Sequence, residues 1–348
     1  MIKEILTMPL FSRIMDCLNN GRNISSDDAA SAMREMIEGS FGEAQMAAFM
    51  TALKIKGETS EEIAGLAKEM REHCIKVKCD DPDAVDIVGT GGDGSSSINI
   101  STAASFIAAG AGVTIAKHGN RAVSSRSGSA DVLTALGVKI DINVSQLEEC
   151  LKRNGIAFLY APLMHPALKS VMPVRKSLGF RTVFNILGPL CNPAGVSRYV
   201  MGVYSERLCG VIAGACADLG FSRALVVHGS DGLDEFTTTG PTYVSELKNG
   251  QINEYKVSPE DMGMSLCRSE DIKGGTPEEN ALALKDILCN KFPDSPRQNI
   301  AVLNAAAAIF ASDKADCWEY AIEKALESVE SGSALKKLKR LAEFTSSC

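Results

Sequence analysis

The sequence predicts an α/β protein in which a small all-helical domain accompanies a large domain with a central, mostly parallel sheet flanked by helices. Three observations predict it. Apolar residues recur at helical spacing over roughly the first 75 positions. From Val85 onward, short apolar runs alternate with helical patterns, as in strand–helix–strand units. Glycine- and serine-rich loops then follow two successive strands, and a parallel sheet gathers such loops at one edge.

The helical part carries three stripes: Met33, Met36 and Ile37; Met46, Phe49, Met50 and Leu53; and Ile63, Leu66, Ala67 and Met70. Thr59 with Glu62 three residues on forms a capping box for the third helix, and Gly57 suits the end of the second. Methionine at this spacing reads as core packing. The opening MIKEILTMPLFSRIMDCL lacks both a continuous apolar stretch and a small-residue cleavage site, so it does not read as a signal peptide.

Strands are expected at 85–88, 113–116, 156–160, 199–203 and 224–227, with an alanine-rich helix at 100–111. Ser145 and Glu148 suggest a capping box for a helix that stops near Asn154 and Gly155. The stretch 165–190 is predominantly helical and ends at GPL, and His165 before Pro166 is a candidate cap. Asn249-Gly250, after the apolar run 244–247, is a strong hairpin signal. Helices are expected at 300–310 and 318–326, and the basic stretch 336–340 reads as a solvated helix face.

At 348 residues, with 45% hydrophobic and 23% charged residues, the chain has room for two domains with real cores. A net charge of -7 opposes general affinity for nucleic acid, so an anionic ligand needs local donors or metal ions. Eleven cysteines without a CxxC pair read as free thiols of a reducing, cytoplasmic compartment. No run of 18 apolar residues suggests a membrane span, and four scattered histidines argue against zinc; His73, His165 and His228 read as structural.

The chemistry concentrates in VDIVGTGGDGSSSINISTAASF and KHGNRAVSSRSGSADVL. Gly89, Gly91, Gly92 and Gly94 allow sharp turns that aim consecutive amides at one anion, and the helix start beyond adds free N–H groups. Gly89, Gly91 and Gly94 also satisfy GxGxxG, the dinucleotide fingerprint. That reading fails because Ser95, Ser96 and Ser97 separate glycines from helix, and because the next strand leads to Lys117 and His118 instead of a ribose-binding acid. No GK[ST] follows, which removes the P-loop reading. Farther on, Asp234 and Glu235 form an acidic pair after the apolar run RALVVHG.

GTGGD (89–93), NIST (99–102), KHGNR (117–121), VRKSLGFRTVFNILGPLCNP (174–193) and DGLDE (231–235) together resemble the anthranilate phosphoribosyltransferase family over essentially the whole chain. One departure is visible: Ser97 and Ile98 stand where the family usually has Thr and Phe. The resemblance implies transfer of the phosphoribosyl group of phosphoribosyl pyrophosphate to the amine of anthranilate in tryptophan biosynthesis, with no residue assigned as general acid or base. It implies a donor site from Gly89, Gly92, Asp93, Ser97, Asn99, Ile100, Ser101 and Thr102, then Lys117, Arg121, Ala122, Val123, Ser124, Ser125 and Ser129.

The resemblance also implies an anthranilate site from Gly89, His118, Asn120, Arg175 and Pro189, with the Arg175 fork on the carboxylate. Magnesium, two ions per subunit, is implied at Ser101, Asp234 and Glu235. The small domain would comprise 1–77 with about 165–190 and form a homodimer; the large domain would comprise 78–164 with about 191–348. A pyrimidine nucleoside phosphorylase and a non-catalytic nucleic-acid-binding relative of the same fold are the competing readings. KHGNR and the acidic pair oppose the first, and the pair and the net charge oppose the second.

Overall fold

The computed structural model describes residues 8–122 and 126–348. Among the described residues four helices come first: α1 (Leu10–Asn19), α2 (Ser26–Ile37), α3 (Glu43–Lys56) and α4 (Ser60–Glu72). Their three stripes bury against one another; Met33, Met36, Phe49, Met50, Leu53, Ile63 and Leu66 are fully inaccessible. The Thr59–Glu62 capping box starts α4, and Gly57 ends α3 at φ 89°. Of the opening segment, residues 1–7 lie outside the described residues; the rest enters α1, whose Ile14 and Leu18 are core.

The sheet follows. β1 (Val85–Gly89) leads to α5 (Ile100–Gly110), β2 (Ile115–Gly119), α6 (Ser129–Ala135), α7 (Val144–Asn154) and β3 (Ile156–Tyr160). A crossover segment comes next: the short α8 (Ala161–Met164), a 3-10 turn at Pro166–Ser170, α9 (Met172–Leu178) and α10 (Phe184–Leu190). Then β4 (Arg198–Gly202), α11 (Arg207–Asp218), β5 (Arg223–Gly229), β6 (Thr242–Lys248) and β7 (Gln251–Val257) complete the strands. Four helices close the chain: α12 (Pro277–Leu288), α13 (Pro296–Ala311), α14 (Trp318–Glu330) and α15 (Ser333–Ser346).

The strand order is β3-β2-β1-β4-β5-β6-β7. The first five strands are parallel, and β6 and β7 add an antiparallel hairpin. Its turn is Asn249-Gly250, with φ 52° and 77°, as a tight hairpin requires. β1 sits centrally between β2 and β4, so the chain's direction of travel across the sheet reverses there. Loops leaving the ends of β1 and β4 diverge at such a point and open a crevice.

Two sequence expectations need correction. The helix before β3 is capped by Asn143 and Gln146, not by Ser145 and Glu148: Asn143 Oδ1 accepts from Gln146 N at 3.0 Å, and the Ser145 hydroxyl donates to the same oxygen at 2.9 Å. An Asn at the true N-cap competes successfully with a Ser two residues inside. The second strand also runs beyond Ala116 to Gly119, because its ladder with β3 continues from Ile115↔Ile156 to Gly119↔Tyr160. Lys117 and His118 are therefore strand residues in the interior, where the sequence placed them just past a strand end. In the basic tail Lys336, Lys339 and Arg340 lie toward solvent as expected, while Lys337 donates to Asn154 O at 2.6 Å.

The two parts join along α4 and α11, where the Ser60 hydroxyl donates to Val211 O at 2.8 Å. The crossover segment returns to the first helices. The Ser170 hydroxyl donates to Met36 O at 3.1 Å, α9 packs on α3, and α10 packs on α4. Among the described residues no helix is long and apolar enough to cross a membrane. All eleven cysteines are free.

Candidate active site at the strand-order reversal

The loop after β1 is held in its shape by backbone demands that only glycine meets easily. Gly91, Gly92 and Gly94 adopt φ of 68°, 77° and 78°. The loop is anchored at both ends. Thr90 N donates to Gly202 O at 3.0 Å, and Ile98 N donates to Ile272 O at 3.0 Å. Ile98 itself is buried core, so an aliphatic side chain fills the position where the family usually has a ring. Asn99 then bridges outward: its Nδ2 donates to Ser127 O at 3.1 Å, and its Oδ1 accepts from Asn280 Nδ2 at 2.8 Å.

The acidic pair arrives from the loop after β5, and its first member meets the glycine loop directly. Gly91 N donates to Asp234 Oδ2 at 2.6 Å. A Cβ at Gly89 would lie 2.5 Å from the same oxygen, so the approach depends on a missing side chain. Ser101 N, in the first turn of α5, donates to Glu235 Oε1 at 3.2 Å. Burial, then Asp93, then Glu235 raise the Asp234 carboxyl well above the ordinary range. Burial also pushes Glu235 up to about 7, with Lys117 opposing. Ionised together, the two carboxyls would carry more negative charge than Lys117 offsets.

Lys117 is buried, and its Nζ donates to Ile87 O at 2.6 Å and to the Ser101 hydroxyl at 3.2 Å. Burial lowers its pKa; Asp86 and Glu235 counteract this. Lys117, implied for the donor site by the resemblance, thus lies beneath the Ser101 hydroxyl. Behind it Asp86, fully buried, accepts from His118 N at 3.1 Å and from Asn192 Nδ2 at 2.8 Å, and burial pushes its carboxyl up to about 7. Asn192 also donates to Ala116 O at 2.7 Å, tying the end of the crossover segment to β1 and β2.

The second strand-end loop starts at Asn120, which is exposed. Arg121 pairs with Asp131 at 2.7 Å, and Asp131 also accepts from Ala122 N and Gly128 N, both at 3.0 Å. The Ser129 hydroxyl donates to Asn120 O at 3.2 Å. Val123, Ser124 and Ser125, assigned to the donor site from the sequence, lie outside the described residues.

His118 is buried with its ring 5.1 Å from that of His165, and burial drives the two down to about 3 and about 4, so both are neutral. His118 is thus packed in the interior, unlike the exposed Asn120, and His165 precedes the 3-10 turn without a side-chain cap hydrogen bond. In the crossover segment Pro189 is buried within α10. Arg175 stands over the Phe184 ring at 5.5 Å, with Nη1 3.6 Å from Met172 Sδ and no ion pair among the described residues. Burial without a carboxylate lowers its pKa. Arg175 therefore makes no structural ion pair among the described residues.

Four residues escaped the sequence reading. Asn304 on α13 accepts from Phe236 N at 3.0 Å and donates to Phe236 O at 2.8 Å, which fixes the backbone beside Glu235. Asp86 with Asn192 supports Lys117 from below, and Asp86 is an acid set among the apolar residues of the very strand that leads into the glycine loop, a signal the sequence did carry. Arg181, inside VRKSLGFRTVFNILGPLCNP, reaches across to the glycine loop: its Nε is 3.0 Å from where a Gly92 Cβ would be.

Among the described residues no three His, Cys, Asp or Glu side chains converge into a ready-made metal cage. Magnesium asks for less, since it keeps waters and takes one or two carboxylates with substrate phosphates. The under-neutralised Asp234 and Glu235 fit that demand.

Residues 12–74 match the model of the helical bundle domain of a glycosyl transferase family, and residues 81–335 match that of its a/b domain. The anthranilate phosphoribosyltransferase of Bradyrhizobium sp. (strain ORS 278) is 50% identical over 94% of this chain and 96% of its own. The crystal structure of the Thermus thermophilus enzyme of that name superposes with a TM-score of 0.91 at 38% identity, covering 97% of this chain and 99% of its own. The Saccharomyces cerevisiae enzyme of that name, in complex with PRPP and Mg, gives a TM-score of 0.88 at 31% identity, covering 97% and 98%.

Proposed function

Since this chain belongs to the anthranilate phosphoribosyltransferase family, we infer that it transfers the phosphoribosyl group of 5-phosphoribosyl 1-pyrophosphate (PRPP) to the amine of anthranilate. The observation that carries this reading is the joining of an amide-rich glycine loop to a buried acidic pair through Gly91 N and Asp234 Oδ2. A donor that is a polyphosphate carried with a divalent cation needs both: N–H groups for its oxygens and carboxylates for its metal.

The reaction breaks the bond from C1 to the pyrophosphate oxygen, forms a bond from C1 to the amine nitrogen, and releases one proton from that nitrogen. The sugar acquires oxocarbenium character, and the departing pyrophosphate gathers charge. Donors already aimed at that charge lower the barrier without reorganising. We assign this to Gly89, Gly92, Ser97, Asn99, Ile100, Ser101 and Thr102, and to Arg121, Ala122 and Ser129 on the second loop, with Asp93 accepting from the ribose or from metal-bound water. Lys117 holds the Ser101 hydroxyl and offsets Glu235 from below.

Asp234, Glu235 and the Ser101 hydroxyl would hold magnesium, two ions per subunit. When bound, it neutralises the pyrophosphate. Arg175 takes the anthranilate carboxylate with its two-pronged fork, and Gly89, Asn120, His118 and Pro189 complete that side of the cleft; positioning of an amine that is already nucleophilic does the rest. The division into residues 1–77 with 165–190 and the remainder makes the cleft an inter-domain one, and the surplus apolar face of the first helices pairs two copies of the chain.

Mixing the protein with anthranilate, PRPP and magnesium and following loss of anthranilate fluorescence tests the reading. Loss that requires all three supports it. No loss, together with thymidine phosphorolysis or salt-sensitive DNA binding, overturns it.

A further inference from the structure

We propose that Arg181 is a further ligand-binding residue of this site, one that comes from the crossover segment, lies over the glycine loop and donates to the pyrophosphate leaving group. The proposal rests on the phosphoribosyl transfer inferred above.

Gly179, at φ 65°, ends α9 in the left-handed conformation and turns the chain so that Arg181 leaves the helix and faces the sheet. Its guanidinium carbon lies 4.5 Å from the centroid of the Tyr204 ring. Its Nε and Nη2 lie 3.0 Å and 3.2 Å from the place a Cβ on Gly92 would occupy. Tyr204 is itself tied to the same loop, because its backbone N donates to Thr90 Oγ1 at 3.2 Å. The guanidinium is thus set against an aromatic face immediately above the loop whose amides are built for anions.

Like Arg175, and unlike many of the chain's arginines, Arg181 lacks a carboxylate partner. Arg13, Arg34, Arg121, Arg198 and Arg223 each meet a carboxylate within 2.8 Å. Among the described residues Arg181 has neither an ion pair nor a hydrogen-bond acceptor, although Asp93 is the next residue after Gly92. Its five donors are uncommitted. Stacking on Tyr204 uses the face of the guanidinium and leaves the in-plane N–H fork for a planar or tetrahedral oxyanion, the geometry in which arginine binds phosphate. Because it acts where charge develops on the departing group, Arg181 contributes to both donor binding and turnover.

The test is calorimetric binding of magnesium pyrophosphate to the full chain, alongside steady-state kinetics, for the wild type, Arg181→Ala and Arg181→Lys. In Arg181→Ala, pyrophosphate affinity and kcat/KM for PRPP should each fall about 10- to 100-fold, the loss that follows removal of a charge-assisted contact, with the KM for anthranilate within about twofold. Arg181→Lys should recover only part of the loss, since it keeps charge but not the fork. If Arg181→Ala binds pyrophosphate as tightly as the wild type, the contact is not made and the proposal fails, even if turnover drops, because Arg181 would then be only a latch on Tyr204. Should Arg181→Ala not fold, Arg181→Gln replaces it and must show the same loss. A wild type that binds pyrophosphate weakly and consumes no anthranilate overturns the assigned reaction instead.

Discussion

The amide of Gly91 donates to Asp234 Oδ2 at 2.6 Å across 143 residues of chain. The glycine loop proposed for the anion and the acidic loop proposed for the cation are thereby built as one object, and Gly89 admits the contact because any side chain there would collide with the same carboxylate.

Gly89→Ala should leave the protein folded yet cut kcat/KM about 100-fold, the scale of loss when a catalytic group is displaced by about 1 Å. Its Cβ would sit 2.5 Å from Asp234 Oδ2 and must push that carboxylate aside. Circular dichroism for the fold and fluorescence-based kinetics for the rate check this; wild-type turnover would show that the Asp234 position is not needed.

Asp234→Ala combined with Glu235→Ala should abolish turnover at limiting magnesium and restore little at saturating magnesium. Burial raises both carboxyls and Asp93 adds to each, while Lys117 opposes the shift only at Glu235. Retention of wild-type turnover at limiting magnesium would remove the metal role.

Arg175→Ala should raise the KM for anthranilate about 10- to 100-fold while that for PRPP changes little. The guanidinium is partly buried and has no carboxylate partner among the described residues, which leaves it to a substrate carboxylate. The opposite pattern of Michaelis constants would assign Arg175 to the donor.

Asn304→Ala should cost about 1–3 kcal/mol of stability, since it strands the buried amide of Phe236. Phe236 follows Glu235 directly, so the magnesium concentration for half-maximal rate should rise as well. Urea melts and a magnesium titration separate the two effects; an unchanged magnesium requirement would make Asn304 structural only.

Opposed groups contribute to stability below neutral pH, the buried histidines on one side and Asp86, with Asp234 and Glu235, on the other. His118 and His165 fall from an ordinary 6.5 to about 3 and about 4, so the unfolded chain binds more protons than the folded one below 6.5, and stability declines as pH falls through that range. Asp86 rises from 3.8 to about 7, so the folded chain holds its proton longer, and its share of stability grows as pH falls over nearly the same range. His165→Phe should therefore flatten the loss of Tm between about pH 6.5 and 4.5, and Asp86→Asn should steepen it. Thermal melts across that range decide the signs.

Much of this was legible in the chain itself. Helical stripes, strand–helix alternation, the Thr59–Glu62 box and Asn249-Gly250 are local patterns, and each works through neighbours a few residues away. The glycine loop and the acidic pair were legible as residue types suited to phosphate and metal. Tertiary structure decided how they meet. Lys117 was legible as a donor-site residue, but only its ladder with β3 shows it inside a strand with its ammonium on the Ser101 hydroxyl. Arg181 and Asn304 carry no local signal, because what matters about them is a contact made across the sheet with Gly92 and Phe236. Side-chain chemistry is a property of the residue, but whether a charge is spent or left for a ligand depends on partners that only the folded chain supplies.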